Sequence, residues 1–116
     1  KKIEVSFVPH LLPVETGIME TIYVKKSHKS QVTSHKLINL YKEFYANELF
    51  VRILGEGNFP QLKDVVGTNY CDIGIKEEAD SIIIISAIDN LLKGASGQAV
   101  QNMNIMYKFL EEAALK

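Results

Sequence analysis

Four consecutive isoleucines, Ile82–Ile85, constrain this chain more than any other feature. A β-branched run with no polar alternation predicts a central strand, Ser81 to Ile88, covered on both faces. Four residues fall far short of the roughly 20 that a membrane-spanning helix needs. Cys71 to Ile75 reads as a second strand, separated from the first by the polar turn Glu77-Glu78-Ala79-Asp80. Together they predict a hairpin at the heart of a sheet.

The other segments arrange themselves around that hairpin. Ile18 to Lys25, entered from Gly17, is rich in β-branched and aromatic residues and reads as a strand. Positions 3–8 alternate, placing Ile3, Val5 and Phe7 on one face of another. Pro9 and Pro13 then take the chain out of the ladder. Leu37, Ile38, Tyr41, Phe44 and Tyr45 recur at helical spacing, with Ser30 or Thr33 as the cap. Leu49 to Leu54 is a strand carrying Arg52. Gln61 to Val66 fits helix or strand and is read as a short strand. A helix runs from Asp89-Asn90, either of which can cap it, to about Glu112, with an apolar stripe of Val100, Met103, Met106, Tyr107 and Leu110. Strands and helices joined by short links give an α+β class: one domain over 1–116, with helices packed on one face of a mostly antiparallel mixed sheet.

Composition narrows the function classes. Thirteen basic and fourteen acidic side chains leave a net charge of −1, so bulk attraction to nucleic acid or an anionic membrane is not expected. The single cysteine offers no intramolecular disulfide, and no signal or transit peptide is read ahead of the first strand. The chain reads as a cut-out piece of an intracellular protein. Its seven glycines form neither Gly-x-Gly-x-x-Gly nor a Walker loop, and its three histidines lack zinc-ligand spacing.

Three features could carry chemistry. Cys71 is followed by Asp72, whose charge opposes thiolate formation, so it reads as a structural residue. His10, fixed between two prolines, either points into a site or is hydrogen-bonded locally. The basic turn Lys25, Lys26, His28, Lys29 meets either a phosphate or solvent. The strongest signal is Asp89 to Ala99, where Gly94 and Gly97 sit in the first turns of a helix at a cost of about 1 kcal/mol each. Close approach of a ligand and tight helix packing both account for them.

Phe7-Val8-Pro9-His10-Leu11-Leu12-Pro13, Gly17-Ile18-Met19-Glu20-Thr21-Ile22-Tyr23, Gly67-Thr68-Asn69-Tyr70-Cys71-Asp72-Ile73 and the stretch from Ser86 to Asn104 occur in this order. In these motifs the chain resembles the N-acetyl-gamma-glutamyl-phosphate reductases, relatives of aspartate-semialdehyde and glyceraldehyde-phosphate dehydrogenases. The resemblance implies a fold like the C-terminal domain of the latter, and a fragment of the catalytic and dimerisation domain plus the helix at about 90–112. It implies a cytoplasmic, arginine-pathway enzyme that reduces an acyl phosphate with NADPH through a cysteine thioester. The family's Gly-Cys-Tyr-Pro nucleophile motif, its His-x-His-x-Pro-Glu segment and its glycine fingerprint are not in these residues. The fragment alone is therefore expected to be inactive. Asn90, Lys93, Gly94, Ala95 and Gln98 match positions expected near the NADP nicotinamide, which the rest of the enzyme binds in the main. His10 matches a position lining the substrate region. Thr16 departs from an arginine common in the family. The expected partners are a small-molecule substrate and further copies of the chain, as a dimer or tetramer, with no nucleic acid and no membrane. The competing expectation is a non-catalytic homo-oligomerisation module.

Overall fold

The computed structural model describes residues 4–27 and 32–116. Its strands are β1 (Ile18–Lys25), β2 (Val51–Ile53), β3 (Cys71–Glu77) and β4 (Ser81–Ile88). Its α-helices are α1 (Ser34–Phe44), α2 (Leu62–Val65) and α3 (Gly97–Tyr107), the last preceded by a π-helical turn at Leu92–Ser96. The strands form one mixed sheet in the order β1-β4-β3-β2. β3 and β4 make the expected antiparallel hairpin, from Cys71 opposite Ile88 to Glu77 opposite Ile82. β1 lies antiparallel along the other side of β4, with Ile22 opposite Ile84, while β2 runs parallel to β3. The class is α+β.

Pleating sets the two faces. Ile73 and Ile75 of β3 point at α1 and form the core with Ile38. Gly74, between them, faces the opposite side, where a side chain would strike Pro60 and the Asn58 carbonyl oxygen. Ile82 and Ile84 pack against the edge of the core. β4 is central, as expected, but Ile82–Ile85 are only half-buried and all eight residues of β1 are exposed. Eleven residues of α1 span about 16 Å, and that helix lies over β3 and β2. Among the described residues nothing buries β1, all of whose side chains stay exposed.

Three expected elements differ. Residues 4–8 are exposed with no ladder partner among the described residues, and Ile3 lies outside them. Alternation specifies a face for these residues but supplies no neighbouring strand. Gln61 to Val66 is helical over Leu62–Val65. In a strand positions 62 and 65 would face opposite ways, whereas a helical turn brings Leu62 beneath Gly17 and lets Val65 be fully buried. The last helix stops at Tyr107, where Lys108 takes a left-handed conformation, and Asn104 Nδ2 donates to the Glu111 and Ala113 carbonyls to fold the tail back.

That helix is also turned the other way round. Gln101 and Asn104 are buried, whereas Met103, Met106, Tyr107 and Leu110 of the expected core stripe are exposed. Buried amides are tolerated because the interior supplies their partners. In α1, Phe44 is likewise exposed; it stands about 120° around the helix from Ile38. Thr33 is the cap, its hydroxyl accepting from Lys36 N at 3.3 Å. Ser30, His28 and Lys29 lie outside the described residues. Lys26, from the expected basic turn, pairs with Glu77. Thr33→Ala is expected to lower stability by about 1 kcal/mol, read as a shift in the urea midpoint.

Candidate functional site

The site grows from the end of β4. Asp89 is 3% exposed, and its carboxylate accepts from the amides of Gly67, Leu91 and Leu92 at 2.8, 2.8 and 3.0 Å. The Gly67 bond, with those from Leu92 and Leu91, holds this carboxyl below its ordinary range, against the opposing effect of burial. One side chain therefore caps the terminal helix and pins the loop that leads into β3. Behind it, Gly94 N reaches the Asp89 carbonyl and Ser96 N the Leu91 carbonyl, both at 3.0 Å. These i→i−5 bonds make the π-helical turn that carries Lys93 and Gly94.

Asn90 Oδ1 accepts from Gly17 N at 2.6 Å, tying the entrance of β1 to the same corner. Gly17 has φ +112°, which a side chain rarely adopts, and a Cβ there would strike Leu62. Ala95 and Gly94 are exposed, and Gln98 Nε2 donates to Asn102 at 3.2 Å. The structure thus brings Asn90, Lys93, Gly94, Ala95 and Gln98 to one helix head. His10 is exposed, and among the described residues its one hydrogen bond is between its ring Nδ1 and the Val8 carbonyl.

Sequence reasoning missed a polar network beneath that head. Lys93 Nζ donates to Gln101 Oε1 at 2.8 Å and lies 5.6 Å from the Phe50 ring centroid. The same Gln101 oxygen accepts from Asn69 Nδ2 at 3.0 Å, and Gln101 Nε2 donates to Glu111 at 2.7 Å. The available signal was Gln101 and Asn104, two amides three residues apart on one helix face. Burial lowers the Lys93 ammonium, against Cys71, Glu111 and Glu48, which favour its charged form. Burial raises the Cys71 thiol; Asp72 and Glu20 add to this, and Lys93 opposes it. Half-burial and the neighbouring Asp72 carboxylate thus both disfavour the Cys71 thiolate.

Gly97 is buried beside Asn69, whose Oδ1 has no hydrogen-bond partner among the described residues. Both line a cavity of about 270 Å³ with Gly67, Leu92 and residues 114–116. Gly94 instead faces Ile88 and solvent. Among the described residues no three metal-ligating side chains cluster, and no helix is long and apolar enough to cross a membrane.

Comparison with known proteins adds the family. Residues 1–90 match the model described as semialdehyde dehydrogenase, dimerisation domain. An N-acetyl-gamma-glutamyl-phosphate reductase of Staphylococcus saprophyticus is 50% identical over 99% of the chain, and one of Staphylococcus aureus MRSA252 is 52% identical over 98%. One of Geotalea daltonii is 48% identical over all of it. The chain spans about a third of the length of these curated relatives. Aspartate semialdehyde dehydrogenase II from Vibrio cholerae has the same fold, with a TM-score of 0.64 at 20% identity over 83% of this chain and 28% of that one.

Proposed function

Because the chain belongs to the semialdehyde dehydrogenase dimerisation-domain family, we propose that it is part of a cytoplasmic N-acetyl-gamma-glutamyl-phosphate reductase of arginine biosynthesis. The observation that carries this reading is identity of about half, over nearly every residue, to curated reductases of that name. In the full-length protein NADPH would supply hydride. The donors at the helix head fit its polar nicotinamide end. Among the described residues Asn90 spends its oxygen on Gly17 and keeps its Nδ2, Lys93 keeps two N–H groups, and Gly94 is exposed. Ala95 and Gln98 border the same spot, and His10 lines the substrate region. The nucleophile and its base belong to the rest of the protein, so this chain alone contributes a wall of the site.

Homo-oligomers, dimers or tetramers, are part of the same reading. β1 exposes Ile18, Ile22 and Val24 on one face and Met19 and Tyr23 on the other, by 42–71% each, apolar surface that a second copy would cover. Light scattering of the chain is expected to give a dimer or larger. Ile22→Glu with Tyr23→Glu charges both faces of β1 and should shift it to monomer; a wild-type monomer at high concentration contradicts this. The decisive experiment compares NADPH oxidation with N-acetyl-gamma-glutamyl phosphate by the full-length protein and by the 116-residue chain. Turnover by the former and none by the latter is expected. An inactive full-length protein that is folded and binds NADPH overturns the reading.

A further inference from the structure

A half-buried lysine ordinarily meets a carboxylate, because burial penalises an uncompensated charge. Lys93 does not. Among the described residues its one hydrogen bond is to the neutral amide of Gln101, and no carboxylate stands within ion-pair distance. Its link to a carboxylate runs through that amide, since Gln101 Nε2 donates to Glu111 Oε1. Gln101 is 6% exposed and is held from a second direction by Asn69 Nδ2. Its orientation is therefore fixed by two partners other than Lys93. The groups whose charge reaches Lys93 are Glu111 and Glu48, with the Cys71 thiol beside them.

We propose that Gln101 is a positioning residue that aims the Lys93 ammonium into the site and keeps Glu111 one hydrogen bond away, leaving two ammonium N–H groups for an anionic oxygen of the bound ligand. This rests on the reading of Lys93 as a site residue of the full-length reductase. A direct Lys93–Glu111 pair would spend the charge inside the domain. The interposed amide accepts one N–H and cancels none of the charge.

Two measurements test it. Lysine side chains labelled with 13C at Cε report the Lys93 titration in the 116-residue chain. Gln101→Glu places a carboxylate against Nζ and is expected to raise the Lys93 midpoint by about one pH unit, a tenfold change in proton affinity. In the full-length protein the same variant is expected to raise KM for NADPH about tenfold, with a smaller change in kcat. Glu111→Gln preserves the acceptor for Gln101 at a half-exposed position and should lower the Lys93 midpoint, which keeps the test alive should Gln101→Glu fail to fold. An unmoved midpoint in a folded variant overturns the positioning role. If the midpoint moves while Lys93→Met leaves KM and kcat unchanged, Lys93 is not a site residue, and the proposal falls with that reading alone.

Discussion

Gly97→Ala is expected to destabilise the chain by about 3 kcal/mol, reversing the usual sign of such a change. Glycine to alanine in a helix ordinarily gains about 1 kcal/mol. The backbone here raises no objection, because Gly97 has φ −65° and ψ −37°, ordinary helical values. The objection is steric. A Cβ would lie inside the contact radius of Asn69 Oδ1 and 2.9 Å from the Leu92 carbonyl oxygen. Neither can withdraw easily. Asn69 is 2% exposed and bonded to Gln101, and the Leu92 oxygen is backbone of the π-helical turn. Gly94→Ala makes the natural control, since its Cβ would meet Ile88 at 3.5 Å and Asp89 O at 3.7 Å, both comfortable contacts. It should be neutral or stabilising by up to about 1 kcal/mol. Urea midpoints decide the pair, and a Gly97→Ala chain as stable as wild type would contradict the packing described. A Gly94→Ala change that spares stability yet weakens NADPH binding by the full-length protein would assign that glycine to ligand approach. The two glycines, indistinguishable in sequence, then have separate reasons.

The same contrast marks what the sequence could carry. The hairpin was legible because a run of isoleucines beside Cys71–Ile75 has one economical solution, and β1 because β-branched and aromatic residues recur along it. The class followed from those two facts. The boundary of the last helix was not legible, because Lys108 in a left-handed conformation is unusual and Asn104, which captures the tail, looks like any helical amide. The inward face of that helix misled for a related reason. Periodicity finds an apolar stripe but cannot say whether the stripe meets its own sheet or faces outward, and here Gln101 and Asn104 won the interior through Lys93, Asn69 and Glu111. Likewise Ile82–Ile85 announced a central strand correctly, yet their half-exposure depends on what lies against β1, which no local pattern encodes. Asn90 was legible as part of a helix head; its bond to Gly17 joins positions 73 residues apart and is written nowhere near either.

Asp89→Ala should cost about 3 kcal/mol at neutral pH, since it removes the acceptor for three amides at once. The loss is not a simple sum. The Leu91 and Leu92 amides sit at a helix start, where water can replace part of the cap, whereas the Gly67 amide anchors a separate loop. Asp89→Asn separates the two. Oδ1 serves Leu91 and Leu92 and Oδ2 serves Gly67, so an asparagine that keeps the cap must aim its NH2 at the Gly67 amide, donor against donor. It should therefore lose well over half of what alanine loses, even though the volume is unchanged. The pH dependence follows from the sign of the shift. The folded carboxyl lies below its ordinary value, so its contribution is complete above the unfolded range, around pH 4 and upward, and drains away as pH falls through the folded value. Wild type should lose stability on acidification below about pH 4 more steeply than Asp89→Ala, the two curves converging in acid. Parallel curves from pH 7 to pH 2 would mean that Asp89 bears no such load, and the corner joining β4, the Gly67 loop and the helix head would need another explanation.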